Sequence, residues 1–232
     1  MLCVWAVPPR ASPHLASPSV PEAVADFYYA GAKRDMKFVV MLREPVARCV
    51  SSYWFKMPGQ SGGSAQGFAD AVASGIADRR VFERCAASRQ AGHPGETAAA
   101  RARLCYGDAP GGNDRLMGNH VDKGIYVDQL ERWLSVFKNR RNYAIVTLEQ
   151  MRADPVATYA QLCTFLGVPL TGAGGWPSRA ALQARLARRE NAGANADRAA
   201  IPNATLAALR AFYAPYNERL YALLGRRFEE WE

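Results

Sequence analysis

The run FVVML at positions 38–42 is continuous, short and rich in valine. Such a run suits a strand buried on both faces, as in a parallel sheet. It stops abruptly on Arg43, and Pro45 follows where the first turn of a helix tolerates proline. Val46, Cys49, Val50 and Tyr53 then recur at offsets of three, four and seven, the spacing of one helix face. The pattern predicts strand, corner and helix in direct succession.

A related pattern returns further on. YAIVTLE (143–149) reads as a second strand, and ADPVATYAQLCTFLG as a helix with Asp154 as cap, Pro155 in the first turn and Gly167 as the left-handed stop. Between the strands, Tyr126, Leu130, Trp133 and Phe137 lie at helical spacing and predict a helix packed on the sheet. Alternating strands and helices give an α/β fold. The region from about 59 to 118, with GQSGGSAQG, RQAGHPGETAAARAR and GDAPGGNDR, is turn-rich and weakly periodic; it is expected to be mostly loop, with one short helix near FADAVASGI. A basic helix is expected at 178–189, and two further helices at about 204–213 and 215–224.

Composition narrows the function classes. The net charge of +8, mostly arginine, favours anionic partners such as nucleotides, nucleic acid, sulfated glycans or lipid headgroups, or else reflects a GC-rich coding bias. No run approaches the roughly 18 apolar residues of a membrane span, so the chain reads as soluble, with membrane attachment expected only through a segment outside it. The five cysteines (Cys3, Cys49, Cys85, Cys105, Cys163) show no metal-ligand spacing, and no metal is expected. Cys49 and Cys163 fall on apolar helix faces and read as buried thiols. Cys85 and Cys105 flank a polar stretch and are open to pairing in an oxidising compartment. Neither GxxxxGK[ST] nor an aromatic-basic RNA motif is present, which argues against a P-loop kinase and a nucleic-acid partner.

The corner at Arg43 is the candidate site. In open α/β sheets, ligands collect beyond the carboxyl ends of strands, where helix amino ends present free amides and positive dipole. A guanidinium there can fork onto a phosphate, and Ser51 on the following helix can donate to the same anion. Arg48 can serve the ligand or a structural ion pair. The competing reading is that Arg43 itself pairs with a carboxylate at a strand end.

The whole stretch KFVVMLREPVARCVSSYW resembles the 3′-phosphate-binding segment of heparan-sulfate-type, PAPS-dependent carbohydrate sulfotransferases, filling its pattern with Leu42, Arg43, Pro45, Arg48, Ser51 and Tyr53. The likeness extends through 124–169, with a Gly-x-Tyr helix at Gly124 and Tyr126, and through the closing helices and final aromatic at 202–231. It implies a single sulfotransferase-like domain over 1–232, with 59–118 as a loop-rich insertion. The implied fold is a three-layer, P-loop-like (nucleotide-kinase-like) parallel sheet flanked by helices, lacking its first strand-loop-helix. The implied function is sulfuryl transfer from PAPS (3′-phosphoadenosine 5′-phosphosulfate) to a hydroxyl or amine of a glycan, in a Golgi-type setting and without metal. A non-catalytic relative that binds a 3′-phosphonucleotide or an anionic glycan is the alternative. Arg43 and Ser51 would hold the 3′-phosphate, with Gly124, Tyr126 and Arg198 near the nucleotide, Tyr126 reading equally as a core residue.

Several of the family's positions are filled differently here. The phosphosulfate loop is not found. RASPHL keeps Ser12 and Pro13 of a family segment whose acidic base and lysine would fall on Arg10 and Ala11, with His14 beside them. NADRAAIP keeps only Arg198 of a Lys-Gly-Arg loop, since Ala196 and Asp197 fill the first two places. Arg179, Arg185, Arg188 and Arg189 give the 178–189 helix a basic face, suited to an anionic glycan or to plain solvation.

Overall fold

The structure is a computed structural model, and it describes residues 21, 24–25, 36–56, 63–107, 120–168, 179–187 and 200–231. Strands β1 (Phe38–Leu42) and β2 (Tyr143–Thr147) pair in parallel, Phe38 opposite Tyr143 and Leu42 opposite Thr147. The two strands therefore end level with each other, and the residues that follow them share one rim. Along β1, Phe38, Val40 and Leu42 are buried while Val39 and Met41 are half-covered. One face of the strand is sealed and the other is only partly so, short of the two-sided burial expected from the apolar run.

Parallel strands need a crossover, and among the described residues it carries the α-helices α1 (Pro45–Lys56), α2 (Ala65–Gly92), α3 (Ala98–Gly107) and α4 (Tyr126–Val136). After β2 come α5 (Leu148–Ala153), α6 (Pro155–Leu166), α7 (Arg179–Ala187) and α8 (Asn203–Leu224). The signals read at α6 are all present: the Asp154 carboxylate accepts from the Ala157 amide, Pro155 opens the helix, and Gly167 closes it at φ 77°.

The expectation of a mostly looped 59–118 is corrected by α2, a 28-residue helix, and by α3. Ser64 caps α2 through the Gly67 amide at 2.9 Å. Its buried stripe is Phe68, Val72, Gly75, Arg79 and Phe82, spaced four, three, four, three. Two of those five positions carry glycine and arginine, so counting apolar residues misses a face that is nonetheless helical. Cys85 of α2 and Cys105 of α3 form a disulfide, with Cys49 and Cys163 buried as thiols. The two helices expected at 204–213 and 215–224 are one helix, α8, continuing through Pro215. Proline there removes one backbone hydrogen bond. The helix is held together by packing on both sides of it, since Leu209, Tyr213, Tyr216, Leu220 and Tyr221 are all buried.

The main core joins Val40, Leu42, Val46 and Cys49 to Ile125 and Leu130 and to the inner face of α8. It lies directly beneath the rim where β1 ends.

Candidate functional site

Arg43 follows β1 at that rim, and α1 begins two residues later. Glu44 turns its own carboxylate onto the start of α1, accepting from the amides of Val46 (2.8 Å) and Ala47 (2.6 Å). The amides expected to face a ligand are thus partly taken by an internal anion, which also offsets the positive end of the helix dipole. What the corner offers an outside anion is side-chain charge.

The Arg43 guanidinium is half-buried, its Nε is enclosed without a hydrogen-bond partner, and among the described residues no carboxylate comes within ion-pair distance of it. The competing reading, a strand-end ion pair, is not realised among those residues. Burial holds the guanidinium below the ordinary arginine value, the charge of Arg152 adds to this, and Glu149, Tyr126 and Glu44 act the other way. Arg152 is exposed on α5, which leaves the same rim from the end of β2.

Ser51 is half-buried on α1, about 9 Å along the axis from Pro45 by helical rise. Arg48, between them, donates from Nη2 to the His120 carbonyl at 2.8 Å, and its Nε is also buried without a partner. Ser52 Oγ lies 2.9 Å from His120 Nδ1, and the Tyr53 ring meets the imidazole edge-on. Arg48 and Ser52 therefore fasten α1 to His120, a residue no motif singles out.

Gly124 and Tyr126 are placed in the core beside the corner. Gly124 ends a 3-10 turn (Asp122–Gly124) and takes the close approach of a ring of this chain, that of Tyr213. Tyr126 is buried and donates its hydroxyl to the Arg43 carbonyl at 2.8 Å; burial pushes its phenol well above the usual range, so it stays a donor. Lys37, at the head of β1, caps the end of α6 by donating to the Phe165 carbonyl at 2.7 Å. Arg185 is exposed on α7. Arg10, Ala11, Ser12, Pro13, His14, Arg188, Arg189, Ala196, Asp197 and Arg198 lie outside the described residues.

A half-buried arginine without a carboxylate partner among the described residues, at the carboxyl rim of a parallel sheet, is a place for an anion. Among solved structures, the chain is similar to a sulfotransferase from Alicyclobacillus acidocaldarius, at 21% identity and a TM-score of 0.49 over 94% of this chain. It spans 64% of that protein's length. No curated protein sequence matches. The family model described as "Sulfotransferase domain" matches residues 8–188, a span that includes β1, the Arg43 corner, Gly124, Tyr126 and β2, and the chain therefore belongs to the sulfotransferase domain family.

Proposed function

We propose that this chain transfers a sulfuryl group from PAPS to a hydroxyl or amine of a glycan, and that the corner at Arg43 holds the 3′-phosphate of the nucleotide. The observation that carries the reading is the Arg43 guanidinium itself, half-buried, with an unpartnered Nε and no carboxylate within reach among the described residues. A phosphate dianion supplies the acceptors that this group lacks, in charge-assisted bonds stronger than neutral ones. Ser51 adds a hydroxyl donor from α1, and Arg152 adds positive charge from the opposite strand end. Tyr126 and Gly124 serve by positioning, the one through the Arg43 carbonyl and the other by admitting the Tyr213 ring. Arg198 is proposed to reach the nucleotide from the segment that precedes α8 in the chain.

In the reaction the sulfur–oxygen bond of the phosphosulfate breaks as a new one forms to the acceptor oxygen or nitrogen. The acceptor's proton passes to a base, and adenosine 3′,5′-bisphosphate leaves. Binding of the 3′-phosphate at Arg43 fixes one end of the donor, which converts remote binding into orientation at the sulfur. The glycan acceptor and the Golgi-type setting rest on the heparan-sulfate-type pattern in KFVVMLREPVARCVSSYW.

Calorimetry with adenosine 3′,5′-bisphosphate and with adenosine 5′-monophosphate tests the corner. Wild type is expected to prefer the bisphosphate, and Arg43→Ala to lose about 10- to 100-fold of that affinity, the worth of a hydrogen bond to a charged group. Equal affinity for the two nucleotides, or no effect of Arg43→Ala, overturns the assignment. Transfer of radiolabelled sulfate to a panel of desulfated glycans reads the acceptor class.

A further inference from the structure

The peptide unit between Arg43 and Glu44 is gripped from both sides. Its carbonyl accepts from the Tyr126 hydroxyl, and its amide donates to Glu149 Oε1 at 3.3 Å. In a trans peptide these two groups point in opposite directions, so Tyr126 and Glu149 together fix the plane from which the Arg43 side chain departs. Glu149 is in turn held by its other oxygen, Oε2, which accepts from Trp231 Nε1 at 3.2 Å. Trp231 belongs to the 3-10 turn Glu229–Trp231, its ring packed 4.4 Å from Phe228 and 6.0 Å from Tyr126. The neighbouring Glu230 accepts from the fully buried Thr147 hydroxyl at 2.6 Å, and Arg226 donates to the Ile145 carbonyl. Residues 226–231 therefore cross the carboxyl end of β2 and return to Glu149.

This matters because Glu149 is the carboxylate best able to spoil the site. Its charge is felt at Arg43 more strongly than that of Glu44, and loss of its two hydrogen bonds would free it to turn toward the guanidinium. One oxygen is engaged by the Glu44 amide and the other by the indole.

We propose that Trp231 is a positioning residue for the Arg43 corner: by holding Glu149 against the Glu44 amide, it keeps the carboxylate off the guanidinium and leaves that group open to an anion. The inference rests on the reading that Arg43 binds a nucleotide phosphate, but the clamp can be read without any nucleotide.

Trp231→Phe keeps an aromatic ring and removes the N–H. Two measurements on the full chain test it. Amide hydrogen exchange at Glu44 is expected to accelerate about tenfold in Trp231→Phe, with unchanged exchange in the core of α8 marking an intact fold. Affinity for adenosine 3′,5′-bisphosphate is expected to fall about three- to tenfold, and this loss is expected to disappear when Trp231→Phe is made in a Glu149→Gln background, where no carboxylate remains to swing. Unchanged exchange at Glu44, or an affinity loss that persists equally beside Glu149→Gln, overturns the proposal. If wild type fails to bind the bisphosphate, the proposed function falls, and exchange at Glu44 alone decides the clamp.

Discussion

A Cβ placed on Gly124 would stand 2.6 Å from the Tyr213 hydroxyl oxygen and 2.8 Å from its ring carbons. Both elements are pinned there: the same hydroxyl donates to the Val121 carbonyl at 2.7 Å, and Tyr213 is buried in the middle of α8. Gly124→Ala is therefore expected to destabilise the fold by about 1–3 kcal/mol, the range for overpacking a tight core. Urea unfolding measures it. Adding Tyr213→Phe removes the oxygen but not the ring, so the double variant should not recover wild-type stability. An unaltered midpoint for Gly124→Ala would show that the ring has room to move.

Arg79 is the hub that joins α2 to α4 and α8. It is 3% exposed, donates to Glu83, Asp122 and Asp128 at 3.1, 3.2 and 2.5 Å, and lies over the rings of Phe82 and Tyr216. Arg79→Met keeps the volume but takes the guanidinium away from Asp122 and Asp128, which are largely out of water, with Arg219 still paired to Asp128. The expected cost is about 3 kcal/mol, the lower end for breaking a buried ion pair from one side. Arg79→Lys should recover only part of it, because an ammonium cannot reproduce the guanidinium fork. A denaturation midpoint for Arg79→Met that matches wild type would mean that the cluster contributes nothing net.

The core holds several acids in their protonated forms. Burial pushes the Cys49 thiol up to about 11 from 9.0, and burial followed by the Glu83 hydrogen bond pushes the Tyr216 phenol up to about 12 from 10.0. Burial likewise raises Tyr213 and Tyr143. In the unfolded chain these groups ionise at their ordinary values. Their contribution to stability is thus fully present below about pH 9 and is lost as pH rises through the window between unfolded and folded values. Urea midpoints should be level from pH 7 to 8.5 and fall steadily to pH 10.5, with a shallower fall between pH 9 and 10.5 for Cys49→Ala. A level profile up to pH 10.5 would contradict this account.

Much of this architecture is local chemistry and could be read before any coordinates. The apolar run 38–42, Pro45, the Asp154 cap and the Gly167 stop each act within a few residues of chain, and each stands where the pattern puts it. Helix α2 is hidden because its inner face spends positions on Gly75 and Arg79. The sense of Arg79 depends on partners 43 and 49 residues away. At the site, the position of Arg43 is legible but its lack of a carboxylate partner among the described residues is not, since spacing says nothing about where carboxylates are held. The same limit applies to Glu149 and Trp231, whose hydrogen bond spans 82 residues. Glu44 is a local contact that was still missed, because glutamate is not among the residues usually favoured at a helix cap.

The bridge between Cys85 and Cys105 fastens the far end of the α2–α3 hairpin, around a small satellite cluster of Phe82 and Ala102 that is separate from the main core. The turn between the helices is also tied by the forked bond from Arg89 to Glu96. With a sequence separation of 20, closing that ring is worth about 3 kcal/mol by the chain-entropy argument. Thiol-rich surroundings would therefore loosen this outlying arm before they touched the sheet or its rim. Among the described residues, that disulfide lies remote in the chain from Arg43.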